Sequence, residues 1–395
     1  MADLLSVADA QARLFAMAPR VPSERVPLAQ AAGRWTAERV VARRTQPAAD
    51  LSAMDGYAIR FADLPGSWRV VGESAAGRSF AKPVGLGEAA RVFTGAAMPS
   101  GADSVLVQEE AARDGDTLTL TGKGPPRLGA NVRRKGLDFS EGDMLIAAGE
   151  RLTPARIALA ATGGHGDLAV NRRLRVAVIA TGDELITPGT DSTDPLALPE
   201  GNSAMLTAML ADLPVDVTFL GVIPDRLDAL TDAFASARAD IVVTTGGASV
   251  GDHDLVRPAL EAAGGAIDFW RIALRPGKPM LAGILGEAVM LGLPGNPVSS
   301  FVTATLFLRP LIATMAGARE PLPKTLTAVL AEPLPANNDR QDYLRGVNAD
   351  GRVAMAAVQD SSMLATLARA DCLILRAPHA PPAQIGDHVE IITLA

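Results

Sequence analysis

Apolar positions along the chain recur with different periods in different stretches. Over residues 3–17, Leu4, Leu5, Val7, Ala8, Ala12, Leu14, Phe15 and Ala16 recur at mostly helical spacing, and Pro19 ends that helix. A shorter helical stretch runs from 28 to about 34. From about 50 to 137 the period drops to two, in short strands predicted at 68–71, 90–93, 104–107 and 117–120. Gly, Pro and Asp-Gly turns separate them, which predicts a small β-rich unit. Residues 152–165 read as a helix, with Thr153 as cap and Pro154 at its first position. From about 173 to 318 strands and helices alternate. Strands at 174–180, 215–222, 241–245 and 288–293 are followed by helices at 203–213, 226–237, 254–263 and from 297 to about 315. This alternation predicts a doubly wound parallel sheet. Beyond Gly317, a segment rich in proline leads into strands predicted at 325–331, 344–347, 352–357, 372–376 and 388–393, a second small β unit.

Composition narrows the class. At 395 residues the chain should divide into two to four domains, on a prior of roughly 100–200 residues each. The boundaries suggested are 1–49 with 138–172, 50–137, 173–318 and 319–395. The balance of 37 basic against 44 acidic residues gives −7, so no general attraction to nucleic acid is expected. One cysteine, Cys372, and four scattered histidines exclude a disulfide framework and argue against zinc; Cys372, in an apolar run, reads as a buried structural thiol. The start of the chain lacks the pattern of a signal peptide, and apolar runs break before the roughly 20 residues of a spanning helix. A cytoplasmic protein without membrane contact is expected.

Candidate chemistry gathers where three apolar strands run into glycine-rich loops. These are Val176–Leu185, Ile241–Asp254 and Ala288–Ser300. Open α/β sheets bind ligands beyond the carboxyl ends of their strands, so the three ends describe a binding crevice. Asp183 with Glu184, and Asp252 with Asp254, could hold Mg²⁺ near phosphate; each acid taken alone reads better as a cap or turn residue, and only two acids on each of two loops bring the metal reading level with it. Thr244, Thr245, Gly246, Gly247 and Ser249 offer amides and hydroxyls. Arg271, Arg275 and Lys278 surround a Pro-Gly turn and suit an oxyanion. In Gly295–Ser300, Asn296 as cap and Pro297 at the helix start account for a plain turn, but not for Gly295. No Walker motif is present, which disfavours an ordinary P-loop nucleotidase. Outside the α/β region, Asp55, the loop from Gly129 to Asp138, the Asp339–Gly346 segment and Ser361–Ser362 carry further polar groups, each a solvated face by default.

Together these segments resemble the molybdopterin molybdenumtransferase family, the MoeA and gephyrin E-domain type. The matching pieces are Ser-Ala-Met-Asp-Gly-Tyr-Ala (52–58), Phe-Thr-Gly-Ala-Ala-Met-Pro-Ser-Gly-Ala-Asp (93–103), Gly-Ala-Asn-Val-Arg (129–133), Thr-Gly-Asp-Glu-Leu (181–185), Thr-Thr-Gly-Gly-Ala-Ser-Val-Gly-Asp (244–252), Arg-Pro-Gly-Lys-Pro (275–279) and Leu-Pro-Gly-Asn-Pro-Val-Ser (293–299). They occur in the family's order across nearly the whole chain. The resemblance implies a multidomain α/β protein. Its parts would be a split, elongated helical/β domain, an inserted small β domain, a central molybdopterin-binding α/β domain and a C-terminal β-barrel. It further implies a homodimer with an active site shared between subunits. The implied reaction inserts molybdenum from molybdate into adenylylated molybdopterin and releases AMP with Mg²⁺. Partners implied are a molybdopterin adenylyltransferase and recipient molybdoenzymes.

Carried over residue by residue, the resemblance assigns Asp55, Asp138, Glu184, Asp225 and Asp254 to catalysis. Thr94, Arg133, Thr181, Gly182, Gly246, Gly247, Ser249, Pro294, Gly295, Asn296, Pro297 and Ser299 fall to substrate binding. Arg275, Lys278, Arg340, Arg345 and Ser362 fall around molybdate, and Asp183, Glu184, Asp252 and Asp254 around metal. The chain departs from the family's pattern at Leu137 (commonly Glu), Arg275 (commonly Lys), Arg226 (often Asp) and Asp50-Leu51. Two other readings are an adenylyltransferase acting upstream, which the additional domains disfavour, and a non-catalytic molybdopterin-binding scaffold, which the retained acids disfavour.

Overall fold

A computed structural model describes residues 4–247 and 255–394. Its centre is a six-stranded sheet in the order Val215–Ile223, Leu174–Thr181, Ile241–Thr245, Ala288–Leu293, Leu281–Leu285, Ala266–Trp270. The first four strands are parallel. The last two run antiparallel, an edge that the apolar pattern did not predict. Both strands are short, and their apolar runs are broken by Asp268 and Gly283.

Alternate residues serve opposite faces of this sheet. Val176, Val178, Ile241, Val243, Val289 and Leu291 pack with helices Val7–Met17, Asn202–Leu210 and the long 297–315 helix. Ile179, Val242 and Met290 pack on the other side with Leu230 and Phe234 of Leu227–Ser236 and with Val256 and Leu260 of Val256–Ala262. Burial on both faces is why these strands read as unbroken apolar runs. Each such side chain contributes about 1.5–3 kcal/mol of hydrophobic stabilisation. The 297–315 helix is long and apolar enough to cross a membrane, but 78% of it is buried in the core. Its middle turn, Ala304–Leu308, is π-helical, just before Pro310. A wider turn there relieves the clash of a proline ring with the carbonyl four residues back.

A second six-stranded sheet orders Ser104–Val107, Gly56–Ile59, Glu88–Val92, Ser67–Ser74, Thr117–Leu120 and Ala111–Asp114. The two short pairs Ser23–Pro27 with Asp167–Asn171 and Val40–Val41 with Met144–Ile146 join the segments on either side of it. Near them, helix Pro154–Thr162 starts as its sequence predicts, with Thr153 Oγ1 accepting the Arg156 amide at 3.3 Å.

Towards the C-terminus, Leu326–Leu330, Gln341–Ala349, Arg352–Met355, Cys372–Arg376 and His388–Thr393 close into a barrel around Leu330, Val353, Ile374 and Ile391. Cys372 is fully buried in it, and burial pushes its thiol up to about 12. Leu274–Arg275, leaving the central sheet, pairs parallel with Gln341 and Asp342 and so ties the α/β unit to the barrel.

Candidate active site

From Leu174–Thr181 the chain crosses to Val215–Ile223 on one side and then returns to Ile241–Thr245 on the other. The order of strands therefore reverses between Thr181-Gly182 and Thr245-Gly246, where an open α/β sheet leaves a crevice. A cleft of about 610 Å³ lies there. Of the sequence candidates, Thr181, Gly182, Glu184, Asp225, Gly246, Gly247, Pro294, Gly295, Asn296, Pro297 and Ser362 line it. Gly246 has φ +93°, and a Cβ on it would fall 2.3 Å from the Thr181 carbonyl oxygen, so only glycine lets the two loops approach this closely.

Polar groups on the floor are held by neighbours. Thr181 Oγ1 donates to Asp225, and the Asp225 amide donates to Asp183 Oδ1 at 3.0 Å. Asp183 itself is not part of the lining. Thr245 also lines the cleft, and its buried hydroxyl has no partner among the described residues. The walls formed by Leu185, Leu198, Pro199 and Leu364 extend the candidate set. Their signal in the sequence is faint, because apolar residues on loops look like ordinary packing.

Asn296 does not cap the helix through its side chain. Instead Asn296 Nδ2 donates to Ser361 Oγ at 3.1 Å, and the Val298 amide donates to the Ser361 carbonyl at 3.1 Å. An amide that a free helix start would turn to an anion is thus used to hold a segment of the barrel. Asn202 Nδ2, from the next helix, donates to the Gly295 carbonyl at 2.8 Å and fixes the same loop. Ser299 lies buried inside the helix and does not reach the cleft.

The cations expected around molybdate are dispersed. Arg275 pairs with buried Asp342 of the barrel, and both line a separate cavity of about 260 Å³. Burial pushes the Asp342 carboxyl up against the opposing pull of Arg275, and its Oδ1 has no partner. Arg345 is fully buried behind Gln359, and burial pulls its guanidinium down. Lys278 is exposed next to Pro279 of the cleft wall, while Arg340 lines neither cavity.

A different group forms on the small β unit. Leu51–Ser52 pairs with Val132–Arg133, and the Ser52 amide donates to the Ala96 carbonyl at 2.8 Å. Three motifs far apart in the chain thus converge. Asp55 Oδ1 accepts the Thr94 amide at 2.7 Å and its hydroxyl at 2.8 Å, which hold the Asp55 carboxyl below the usual range. Asp50 fixes the following loop through the Lys135 amide at 2.8 Å and Arg134 at 2.6 Å. Arg133 is exposed, and Asp138 lines a third, shallow hollow with Asp143 and Leu159. None of Asp55, Thr94, Arg133 and Asp138 lines the α/β cleft of its own chain. Ser249, Asp252 and Asp254 lie outside the described residues. Among the described residues no group of three or more His, Cys, Asp or Glu is arranged for a metal ion. Glu184 and Asp225 on the cleft wall do suit Mg²⁺, which takes one or two carboxylates alongside phosphate oxygens.

Three family models match in succession: MoeA N-terminal region (domain I and II) over 5–164, probable molybdopterin binding domain over 177–314, and MoeA C-terminal region (domain IV) over 327–394. A molybdopterin molybdenumtransferase of Haemophilus influenzae is 34% identical, with 98% of each chain covered. The chain belongs to the molybdopterin molybdenumtransferase family. An enzyme of the same name from Staphylococcus aureus is 30% identical over 98% of this chain and 95% of its own. The crystal structure of a molybdopterin biosynthesis moeA protein from Pyrococcus horikoshii OT3 superposes with a TM-score of 0.84 at 26% identity, covering 99% of this chain and 100% of that one. Family membership makes this an enzyme of molybdenum cofactor biosynthesis, and its central sheet lies in the part matched by the probable molybdopterin binding domain.

Proposed function

We propose that this chain inserts molybdenum from molybdate into adenylylated molybdopterin and releases AMP, the last step of cofactor assembly. The cleft at the switch point carries the reading, because glycine loops and the carboxylates of Glu184 and Asp225 meet there in a chain of this family. Gly246 and Gly247 leave room for the substrate's phosphates to approach the backbone. Glu184 and Asp225 would hold Mg²⁺, which when bound neutralises charge on the phosphoanhydride. The same carboxylates can orient water at that bond. Lys278 and Ser362, at the edge of the cleft, offer molybdate a cation and a hydroxyl.

Asp55, Thr94, Arg133 and Asp138 stand apart from this cleft. A homodimer in which the β unit of one chain covers the cleft of the other would bring them to the substrate. An enzyme that adenylylates molybdopterin must supply the substrate, and cofactor-free molybdoenzymes must receive the product. The test is AMP release from adenylylated molybdopterin with Mg²⁺, with and without molybdate, read together with reconstitution of a cofactor-free molybdoenzyme. Molybdate-dependent release with reconstitution is expected. Tight binding of the substrate without turnover would contradict the proposal.

A further inference from the structure

Lys278 sits on a loop that leaves the core and returns to it. The Arg271 amide donates to the Met280 carbonyl and the Ile272 amide to the Lys278 carbonyl, both at 3.2 Å, so the turn is closed at its base. Ile272, Leu274 and Met280 are fully buried. Segments from both ends of the chain flank this loop. On one side Leu5 bridges to Ile272, and the Ala273 amide donates to the Leu5 carbonyl at 2.7 Å. On the other the Gln341 amide donates to the Ala273 carbonyl at 2.9 Å, and Leu274–Arg275 runs parallel to Gln341 and Asp342. Both backbone groups of Ala273 thus hold the loop between the N-terminal segment and the barrel. One side-chain tie reinforces the barrel side. The Arg275 guanidinium donates to Asp342, which is 2% exposed and whose carboxylate has no other hydrogen-bond or ion-pair partner among the described residues. Removing the one cationic partner of a buried carboxylate leaves a charge that draws its strand towards water. Lys278, three positions on, is exposed and pairs with no acid among the described residues.

We propose that Arg275 is a positioning residue: it ties the loop to Asp342 of the barrel, so that Lys278 alone of the two presents its cation to molybdate. The inference rests on the proposed function and deepens it, since molybdate is a substrate of that reaction. The family resemblance puts both cations around the oxyanion, but in this chain their work is divided. A guanidinium engaged by a buried carboxylate has little charge left for a dianion, whereas the Lys278 ammonium keeps all of its own. The tie also fixes distance. Pro279 lines the cleft on the loop, and Ser362 lines it on the barrel, so the contact that joins loop to barrel sets how far Lys278 stands from Ser362.

Three variants of the full chain separate positioning from contact: Arg275→Met, Lys278→Ala, and Arg275→Met combined with Asp342→Leu. KM for molybdate and kcat are read from molybdate-dependent AMP release, and molybdate affinity from equilibrium dialysis. Arg275→Met strands the carboxylate and should raise KM for molybdate about tenfold with kcat within about twofold, the coupling of residues in one buried pair. The double variant replaces both partners by apolar groups of similar size, a nearly neutral exchange, and should bring KM back to within about threefold of the wild type. Lys278→Ala should raise KM about tenfold or more, as for loss of a charge-assisted contact. A double variant as weak as Arg275→Met would mean that Arg275 touches molybdate itself and would overturn the assignment. An unchanged KM in Arg275→Met or in Lys278→Ala would overturn it as well. Should Arg275→Met fail to fold, the double variant decides alone, because its KM stays near that of the wild type only if Arg275 is no ligand. If the pattern holds in dialysis while no AMP is released, the brace stands and the insertion chemistry falls. Molybdate-dependent AMP release without recovery in the double variant removes the brace and leaves the chemistry.

Discussion

The α/β cleft and the Asp55 face both gather polar groups but are built differently. The cleft is a concavity formed by topology, with glycines where the loops cross and apolar residues on its walls. The Asp55 face is a surface on which three motifs converge through backbone hydrogen bonds, with Asp55 held by Thr94 and Asp50 by Lys135 and Arg134. On the proposed reading, one region is a receptacle and the other closes the cleft of a second copy.

The largest effect should come from closing the receptacle. Gly246→Val forces a left-handed backbone and drives Cβ into the Thr181 carbonyl. It should destabilise by about 1–3 kcal/mol and abolish AMP release, as read by thermal melting and single-turnover assay. An active, equally stable variant would mean that the loops are not in contact. In the shallow hollow, Asp138→Ala should leave the oligomeric state and melting temperature unchanged while AMP release falls roughly hundredfold or more, as for loss of an acid–base group. Full activity would remove Asp138 from the mechanism. Asn296→Ala breaks the tie to Ser361 and loosens the neighbouring Ser362; KM for molybdate should rise about three- to tenfold with little change in kcat. An unchanged KM would show that the barrel segment is positioned by other contacts.

Two smaller changes sharpen the comparison because they lie away from both faces. Asp240 precedes the strand Ile241–Thr245, at the end opposite the cleft. Burial alone would raise its carboxyl, but two hydrogen bonds from Arg172 and contacts from Arg175 outweigh this and hold it far below the usual range. A depressed folded-state pKa contributes stability that is present above the unfolded value of about 4 and is lost as pH falls below it. The melting temperature should therefore drop as pH is lowered from about 4, and Asp240→Asn should flatten that dependence. A slope unchanged in Asp240→Asn would assign the acid sensitivity to other carboxylates. Thr153→Ala removes a helix cap and should cost about 1 kcal/mol with AMP release unaltered; a loss of activity would connect this helix to the site.

Much of the central sheet was legible because burial on both faces writes itself as continuous apolar runs. The strands Ile241–Thr245 and Ala288–Leu293 coincide with the stretches read from periodicity. Gly56–Ile59 was hidden, since an Asp-Gly pair looks like a turn and all four residues are buried in a strand. At the site, the cleft-lining glycines follow from strand ends, which are local features. The use of Asn296 and the pairing of Arg275 with Asp342 depend on how the barrel meets the α/β unit, a contact between segments more than sixty positions apart. Spacing along the chain carries no record of such a contact.

The central claim, that one chain's cleft works with another chain's Asp138, is tested most directly by mixing two inactive variants. Asp225→Ala damages the cleft and Asp138→Ala the other face. Co-expressed and purified as a mixed dimer, they should regain AMP release, because one of the two sites then has both an intact cleft and an intact Asp138. If each site lay within a single chain, both sites in the mixed dimer would stay broken, and the mixture would remain as inactive as its parents.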